Sequence, residues 1–336
     1  MAGNFASGTP ATLVRAGIVG TGYAAARRAE AIQADNRSQL ITIAGHQPDR
    51  TTTFAQTYGV PAVQSWRDLV KRSDIDLVII CSANYEHGKI ARAALEAGKH
   101  VVVEYPLALT AAEAAELIAL AKQQNKLLHV EHIELLSGIH QSIKAALPGV
   151  GIPFYLRSAS LMCQQPAPEK WSYHREQFGF PLVGAVSRIH RLTDLFGSVA
   201  TVSCQTRFWD SAKATGYFSS CLCTAQLRFT SGLIAEVVYG KGEAIWYSDR
   251  TLTIQGDRGA LTIDGEQGQL VTAEGTKTLT VGSRRGLFAK DTTQVLDHLT
   301  IGTPLYVSLN ASLYALQVAD AARRSAEVGE VVEVGE

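Results

Sequence analysis

Short apolar runs alternate with longer amphipathic segments along the first part of the chain. The apolar runs at 13–19, 40–44, 77–81, 100–104 and 127–130 predict strands, and the segments at 24–34, 86–97 and 110–125 predict helices. Thr110 and Glu113 have the spacing of a capping box at the start of the third helix. Strands that alternate with helices are typical of parallel βαβ units, so we predict an α/β domain with a parallel sheet.

The pattern changes in the second part of the chain, where short β-rich runs replace the alternation. These runs lie at 154–160, 199–208, 219–229, 233–239, 251–255, 261–263 and 278–281, and turns separate them. Helical patterns cover 133–147, 184–196 and 308–325. We predict an α+β domain with a large, mostly antiparallel open-faced sheet. The expected division is 1–132 for the first domain and 133–336 for the second.

The amino-acid composition and the charge balance argue against several classes of protein. The chain has 336 residues, 46% of them hydrophobic and 18% charged, so it can bury a large core. Lys+Arg and Asp+Glu both number 31, which argues against nonspecific nucleic-acid binding. No apolar run approaches the ~20 residues of a membrane span, and the first ten residues lack the features of a secretory signal. The five cysteines form no Cys-x-x-Cys pair. We therefore expect a cytoplasmic protein without nucleic-acid or membrane partners.

A glycine-rich turn follows the first predicted strand and precedes the first predicted helix. Gly20, Gly22 and Ala25 complete a G-x-G-x-x-A pattern, with Thr21 and Tyr23 between them. Gly20 permits a tight turn, Gly22 lets a pyrophosphate approach the backbone, and Ala25 allows the helix to pack closely. This context predicts a dinucleotide site in a Rossmann domain.

The residues after the second and third long strands face the expected ligand crevice. No acidic residue directly follows the second strand, whereas His46 and Arg50 follow closely, so we expect NADPH, with NADH possible. Arg50 has a simpler interpretation as a solvated residue in the first turn of a helix. Asn84 and His87 follow the strand at 77–81 and are candidates for the ribose and nicotinamide side of the cofactor.

Three segments resemble the glucose–fructose oxidoreductase/inositol dehydrogenase family: the glycine turn, the motif at 84–87, and the segment 97–106. The resemblance implies a Rossmann domain followed by an open-faced β-sheet domain. The family usually has a Lys where this chain has Tyr105. Its sugar dehydrogenases also carry an Asp and a His where this chain has Val183 and Ser187. The groups that usually deprotonate an alcohol are therefore missing, which argues against a sugar or polyol substrate.

Further segments resemble the biliverdin reductases of that family, most closely the cyanobacterial type. The matching segments are 98–106, 128–136, 178–181, 187–188, 195–197 and 282–291. The resemblance implies reduction of biliverdin IXα to bilirubin, with hydride transfer to the C10 methine bridge and protonation of a pyrrole nitrogen. Reduction of another linear tetrapyrrole and a non-catalytic NADP-sensing role stay open as alternatives.

The resemblance implies a catalytic role for Arg188. A guanidinium is a poor acid, so we expect it to stabilise developing charge and to orient a water or a propionate that delivers the proton. Tyr105 ends a strand at the crevice and is a second candidate, whose ring packs on the tetrapyrrole or nicotinamide and whose hydroxyl could supply a proton. Glu104 is expected to position the cofactor or a neighbouring side chain.

The two propionates of biliverdin call for basic partners. The candidates are Arg191, Lys241, Arg284 and Arg285, and each is also explained as a solvated charge. We expect the open sheet face to form an apolar platform for the substrate. Because a planar substrate needs that face exposed, we favour a monomer over a homodimer.

Two His and two Glu residues lie close together in the sequence at 129–134 and are candidate metal ligands. His129 and Glu131 lie on one face of an extended strand, whereas His132 and Glu134 lie on the other. Four ligands would not converge in that arrangement, so we expect no metal. His132 is instead a candidate for the wall of the substrate site at the domain junction.

Overall fold

A computed structural model describes residues 13–283 and 285–335. The first part is a six-stranded sheet in the order β3-β2-β1-β4-β5-β6, with every neighbouring pair parallel. Its strands are β1 (Val14–Val19), β2 (Ser38–Ala44), β3 (Ala62–Val63), β4 (Leu77–Ile80), β5 (His100–Val103) and β6 (Leu128–Val130). Its helices are α1 (Tyr23–Ala34), α2 (Pro48–Thr57), α3 (Trp66–Lys71), α4 (Asn84–Glu96) and α5 (Ala111–Gln123). The predicted parallel α/β sheet is confirmed.

The elements of this sheet follow from local signals. All four residues of β4 are buried, as expected for a strand covered on both faces. Thr110 caps α5, with its hydroxyl accepting the N–H of Glu113 at 3.2 Å. The patterns did not predict α2 or α3. The threonine-rich segment of α2 lacks a strong apolar stripe, and the helix begins with Pro48, where the absence of an N–H costs no hydrogen bond.

The second part is a nine-stranded sheet in the order β14-β13-β12-β11-β7-β10-β9-β8-β15. Only β7 and β10 pair in parallel among these described strands, so the sheet is mostly antiparallel as predicted. Its strands are β7 (Pro153–Cys163), β8 (Val199–Asp210), β9 (Phe218–Phe229), β10 (Ile234–Gly242), β11 (Thr251–Gly256), β12 (Gly259–Asp264), β13 (Gln267–Thr272), β14 (Gly275–Thr280) and β15 (Val332–Glu333).

The helices of the second part depart from the predicted pattern in four places. The segment at 133–147 begins as a 3₁₀ turn (Ile133–Leu136) before α6 (Gly138–Val150), and a second 3₁₀ turn covers Trp171–Tyr173. The predicted helix at 184–196 is divided. The remaining helices are α7 (Arg175–Phe178), α8 (Pro181–Gly184), α9 (Ser187–Phe196), α10 (Leu287–Ile301) and α11 (Leu309–Val328). Helix α10 was not predicted, and it packs against α1 of the first sheet.

The two faces of the second sheet differ in polarity. In β9, Cys221, Cys223 and Ala225 are buried on the inner face, which α8 contacts, whereas Thr224 and Gln226 are exposed on the outer face. The outer face is polar at these positions of β9, whereas Ile234 of β10, which pairs with Arg228 and so shares this face, is an exposed apolar side chain. The expected apolar platform on the open sheet face stays a prediction. The division into domains at residue 132 stays a prediction. Within the described residues, the structure contains no helix with the length and apolar character of a membrane span.

Candidate active site

The glycine turn between β1 and α1 has the expected geometry. Gly20 has a φ of +129°, and a Cβ there would stand 2.3 Å from the carbonyl oxygen of Cys81, so only glycine fits. Gly22 precedes α1, and a Cβ on it would meet no atom within 4 Å. No side chain caps α1, so its first N–H groups face open space. Ala25 is fully buried and lets the helix approach the sheet. The turn offers both room and donors for a phosphate group.

The residues around the end of β2 bring two basic side chains to the same crevice. The His46 Nε2 lies 2.5 Å from a carboxylate oxygen of Glu86 on α4. Arg50 donates to the carbonyl of Thr21 at 3.0 Å, so it reaches the glycine turn. Sequence reasoning missed Glu86, because it lies 40 positions from His46. Tyr23 is exposed beside the turn.

Asn84 and His87 lie in the wall of the crevice, where they are 3% and 1% exposed. Asn84 Nδ2 donates to the carbonyl of Phe178 at 3.0 Å, which ties α4 to the second part of the chain. The ring nitrogens of His87 lie 2.8 Å and 3.1 Å from the carbonyls of Pro106 and Ser82, and burial lowers the pKa of this ring. Direct contact of Asn84 and His87 with the cofactor stays a prediction. Both side chains hold the loops that border the crevice.

A buried ionic network joins the first sheet to α10. Arg28 on α1 is 1% exposed and donates through Nε to Glu104 at 3.1 Å. The same guanidinium forms an ion pair with Asp291, which is fully buried. Asp291 also accepts from Tyr306 at 2.7 Å and lies 2.8 Å from the Nε2 of His129.

This network sets the charge of Asp291 and the role of Glu104. Burial opposes ionisation of Asp291, but the charges of Arg28 and His129 outweigh it and hold the pKa of this carboxyl well below its usual range. Glu104 fulfils the expectation of positioning a neighbouring side chain, namely Arg28. The sequence offered no signal for Arg28 or Asp291, since 263 positions separate them.

Tyr105 stands just after β5 and faces the domain junction. Its ring stacks on His132 with 5.9 Å between centroids and 6° between planes. Burial and the Glu131 carboxylate raise the pKa of Tyr105, while the charge of Arg188 acts in the opposite direction. The phenol therefore stays protonated near neutral pH.

His132 supports Tyr105 from behind. It is buried, and its Nε2 lies 2.9 Å from the hydroxyl of Ser312. Burial, with the neighbouring His190, lowers the pKa of His132 well below its usual range, so the ring is neutral. His132 therefore packs against Tyr105 as a neutral ring, and its place in the wall of the substrate site stays a prediction. Among the described residues, no three His, Cys, Asp or Glu side chains converge as a metal site.

Arg188 lies on α9, beside a cavity of 160 Å³ on the inner face of the second sheet. In the described part of the chain, no carboxylate pairs with Arg188, and its buried Nε has no hydrogen-bond partner. The cavity walls include Ser158, Ser160, Leu252 and Ile263, with Arg191 and Arg250 at the side. An uncompensated guanidinium above a mixed polar and apolar wall is suited to binding an anionic planar molecule.

The other predicted basic residues divide into three groups. Arg191 reaches the cavity but forms an ion pair with Glu134 at 2.8 Å. Arg285 is exposed, and Arg284 lies outside the described residues. Lys241 is buried, and its contact with a propionate stays a prediction. Arg250 is a basic residue that sequence reasoning missed, because its place beside Arg188 depends on the pairing of β11 with β7.

Lys241 is enclosed by aromatic side chains. It is 4% exposed, and its ammonium lies 3.5 Å from the ring centroid of Phe178 and 4.9 Å from that of Tyr173. The ammonium donates to the carbonyl of Ser172 at 2.6 Å. Burial lowers the pKa of Lys241 to about 8. Its charge stabilises an aromatic cage through cation–π contacts.

Two family models cover most of the chain. The NAD-binding Rossmann-fold model of the oxidoreductase family matches residues 14–132, and the model of its C-terminal alpha/beta domain matches residues 151–334. The chain belongs to this oxidoreductase family. Its Tyr105 therefore departs from the Lys that the family usually has at this position.

Similar proteins within the oxidoreductase family point to one group of enzymes. A crystal structure of biliverdin reductase from Synechocystis sp. PCC 6803, in complex with biliverdin and NADP+, is 55% identical. Its TM-score is 0.92, and the match covers 94% of this chain and 100% of that chain. Biliverdin reductase A of Mus musculus is 32% identical over 55% of this chain and 59% of its own length. The Homo sapiens protein is 37% identical over 41% and 44%. The chain thus spans about half the length of these two curated relatives.

More distant members of the oxidoreductase family share the fold alone. A levoglucosan dehydrogenase in complex with NADH and levoglucosan is 19% identical, with a TM-score of 0.81 over 96% of this chain.

Proposed function

We propose that this chain catalyses the NAD(P)H-dependent reduction of biliverdin IXα to bilirubin. In this reaction a hydride is transferred to the C10 methine bridge and a proton is added to a pyrrole nitrogen. The observation that carries the proposal is the 55% identity, over 94% of this chain, to a biliverdin reductase crystallised with biliverdin and NADP+. The uncompensated Arg188 beside a cavity at the crevice supports it.

The crevice fits a nicotinamide dinucleotide. The pyrophosphate would lie at the open N-terminus of α1, held by Gly20, Thr21, Gly22, Tyr23 and Ala25. His46 and Arg50 would hold the adenosine ribose, and the positive charge of Arg50 supports NADPH, with NADH possible. When bound, the reduced nicotinamide supplies the hydride. Asn84, His87 and Glu104 position the loops and side chains around it.

Arg188 is the proposed catalytic residue. Hydride arrival places negative charge on the tetrapyrrole, and a fixed cation in a partly buried site stabilises that charge. A guanidinium is a poor acid, so Arg188 orients a water or a propionate that carries the proton. Tyr105 is the second proposed catalytic residue, because its protonated phenol lies at the same junction.

The propionates need cationic partners at the cavity wall. Arg250 is the strongest addition, since it lines the cavity and has no ion pair within the described residues. Arg191 and Arg285 stay proposed contacts, with Arg191 shared between a propionate and Glu134. An arginine binds a carboxylate through two parallel hydrogen bonds, which would fix the orientation of the tetrapyrrole.

We propose a monomer, because a planar substrate needs part of the sheet face exposed. Exposed Thr224, Gln226 and Arg228 make part of the outer face polar, which supports this proposal. The five cysteines are free thiols, which supports the proposed cytoplasmic location. Light scattering on the purified chain would test the oligomeric state directly.

An absorbance time course with purified protein, biliverdin IXα and NADPH tests the proposed reaction. We expect the red-absorbing biliverdin band to decrease while the blue-absorbing bilirubin band grows. A Gly20→Val variant is the control, because its side chain would collide with the carbonyl of Cys81 and exclude the turn. Cofactor binding without conversion, with NADPH and NADH and from mildly acidic to neutral pH, would overturn the proposal in favour of a sensing role.

A further inference from the structure

A second cavity lies far from the glycine turn, at the end of the first sheet where the strands begin. It runs between β6 and the connection from α10 to α11, and His100 at the start of β5 borders it. We call it the rear groove. Its volume is 630 Å³, against 160 Å³ for the cavity beside Arg188. Pockets of about 300–1,000 Å³ accommodate small organic ligands.

The walls of the rear groove combine an apolar surface with a basic rim. The apolar side chains are Leu127, Leu128, Val130, Leu299, Leu305, Val307 and Leu309. The basic side chains are His100, Lys122, Lys126 and His298, and no Asp or Glu is among the described residues that line the groove. An apolar floor with uncompensated cations at its edge complements an amphipathic anion.

Each of the two histidine rings in the groove forms a hydrogen bond to the backbone through its Nδ1. His100 Nδ1 accepts the N–H of Leu127 at 3.0 Å, so the neutral ring carries its proton on Nε2 and can donate there. His298 Nδ1 lies 2.9 Å from the carbonyl of Thr303 and donates to it. His100 can therefore donate to a bound carboxylate through Nε2.

Several charges act on His100 from the surrounding elements. Burial lowers the pKa of this ring, the positive charges of Lys126 and His298 lower it further, and Asp76 acts in the opposite direction. Asp76 is itself bound to Arg15. A bound anion would offset this mutual repulsion.

Helix geometry explains part of this basic cluster but not all of it. Lys122 lies in the last turn of α5 and His298 in the last turn of α10, where a cation stabilises the helix dipole by about 0.3–1 kcal/mol. His100 begins a strand and Lys126 lies beyond the helix, so neither has this explanation. The helix dipole also does not explain the apolar cavity beneath these basic side chains.

We propose that the rear groove binds an organic carboxylate with an apolar body. The carboxylate contacts the basic rim formed by His100, Lys122, Lys126 and His298, and the apolar body lies along the leucine floor. His129 and Ser312 also line the groove. Ser312 bonds to His132, which stacks on Tyr105, so an occupant would touch side chains that support the candidate active site.

Decanoate is a suitable probe, with binding to the NADP+-saturated protein measured by isothermal titration calorimetry. We expect saturable binding that a Lys126→Glu substitution weakens by about tenfold, since a charge of the opposite sign replaces a contact. Lys71→Glu is the matched control, because Lys71 is an exposed residue at the end of α3 and does not line the groove. We expect its affinity to stay within about twofold of the wild type.

Three results would overturn the proposal. The first is the absence of saturable binding, and the second is equal affinity in the Lys126→Glu and Lys71→Glu variants. The third is a loss of affinity in Arg250→Ala rather than in Lys126→Glu, which would place decanoate in the cavity beside Arg188.

Discussion

Replacing Arg188 by alanine tests the catalytic assignment most directly. The guanidinium faces the cavity with no carboxylate partner in the described chain, so its charge is free to act on the substrate. Removing one donor that stabilises transition-state charge lowers kcat by about 10²–10³-fold, which is about 3–4 kcal/mol. Arg188→Lys retains a point charge without the planar fork, and we expect a smaller loss of about tenfold.

The stability of the Arg188→Ala variant should change little. Because no partner carboxylate is left buried and unpaired, we expect a loss below about 1 kcal/mol in the free energy of unfolding. Arg228→Ala is the matched control, since Arg228 is exposed on the outer sheet face, and its kinetics should equal those of the wild type.

Steady-state and single-turnover absorbance kinetics, with thermal unfolding measured in parallel, separate the possible roles. If kcat of Arg188→Ala falls less than about threefold while folding is intact, the assigned role is wrong. A rise in KM for biliverdin at unchanged kcat would also contradict it, because Arg188 would then bind a propionate equally in the ground and transition states.

Three further substitutions test other parts of the structure. Arg50→Ala should raise KM for NADPH about tenfold and KM for NADH less, because only NADPH offers a 2′-phosphate to the guanidinium. Asp291→Asn should lower the free energy of unfolding in urea by about 3 kcal/mol, since Arg28 stays buried with Glu104 as its remaining carboxylate. The pKa of Lys241 is lowered to about 8 in the folded protein, so wild-type stability should rise from about pH 8 to pH 10 by up to about 3 kcal/mol. Lys241→Met should lack this rise in urea unfolding followed across the same pH range.

Each of these substitutions has an outcome that contradicts its reasoning. Equal effects of Arg50→Ala on the two cofactors would remove this residue from the 2′-phosphate site. An Asp291→Asn variant as stable as the wild type would show that the network does not hold α10 to α1. Parallel pH curves for Lys241→Met and the wild type would show that the ammonium is not enclosed.

The sequence by itself determined the features that depend on near neighbours. The alternation of apolar runs and helical segments specified the parallel sheet, because one face or both faces of each element must be buried. The glycine turn followed from the steric need at Gly20, and the cap of α5 from the spacing of Thr110 and Glu113. Sequence motifs similar to those of the family also identified Tyr105 and Arg188.

Only the tertiary structure decided which polar side chains are enclosed by other residues and which can reach a ligand. Lys241 follows a strand pattern that suits an exposed cation, yet rings from distant segments enclose it. Arg28 and Asp291 meet across 263 positions, in a contact that no local pattern encodes. Arg250 reaches the cavity only because β11 pairs with β7, and that cavity lies on the inner face because α9 covers this side of the sheet. The burial of a side chain and its ion-pair or hydrogen-bond partners depend on segments far apart in the chain. They are therefore determined only when the helices and strands pack together.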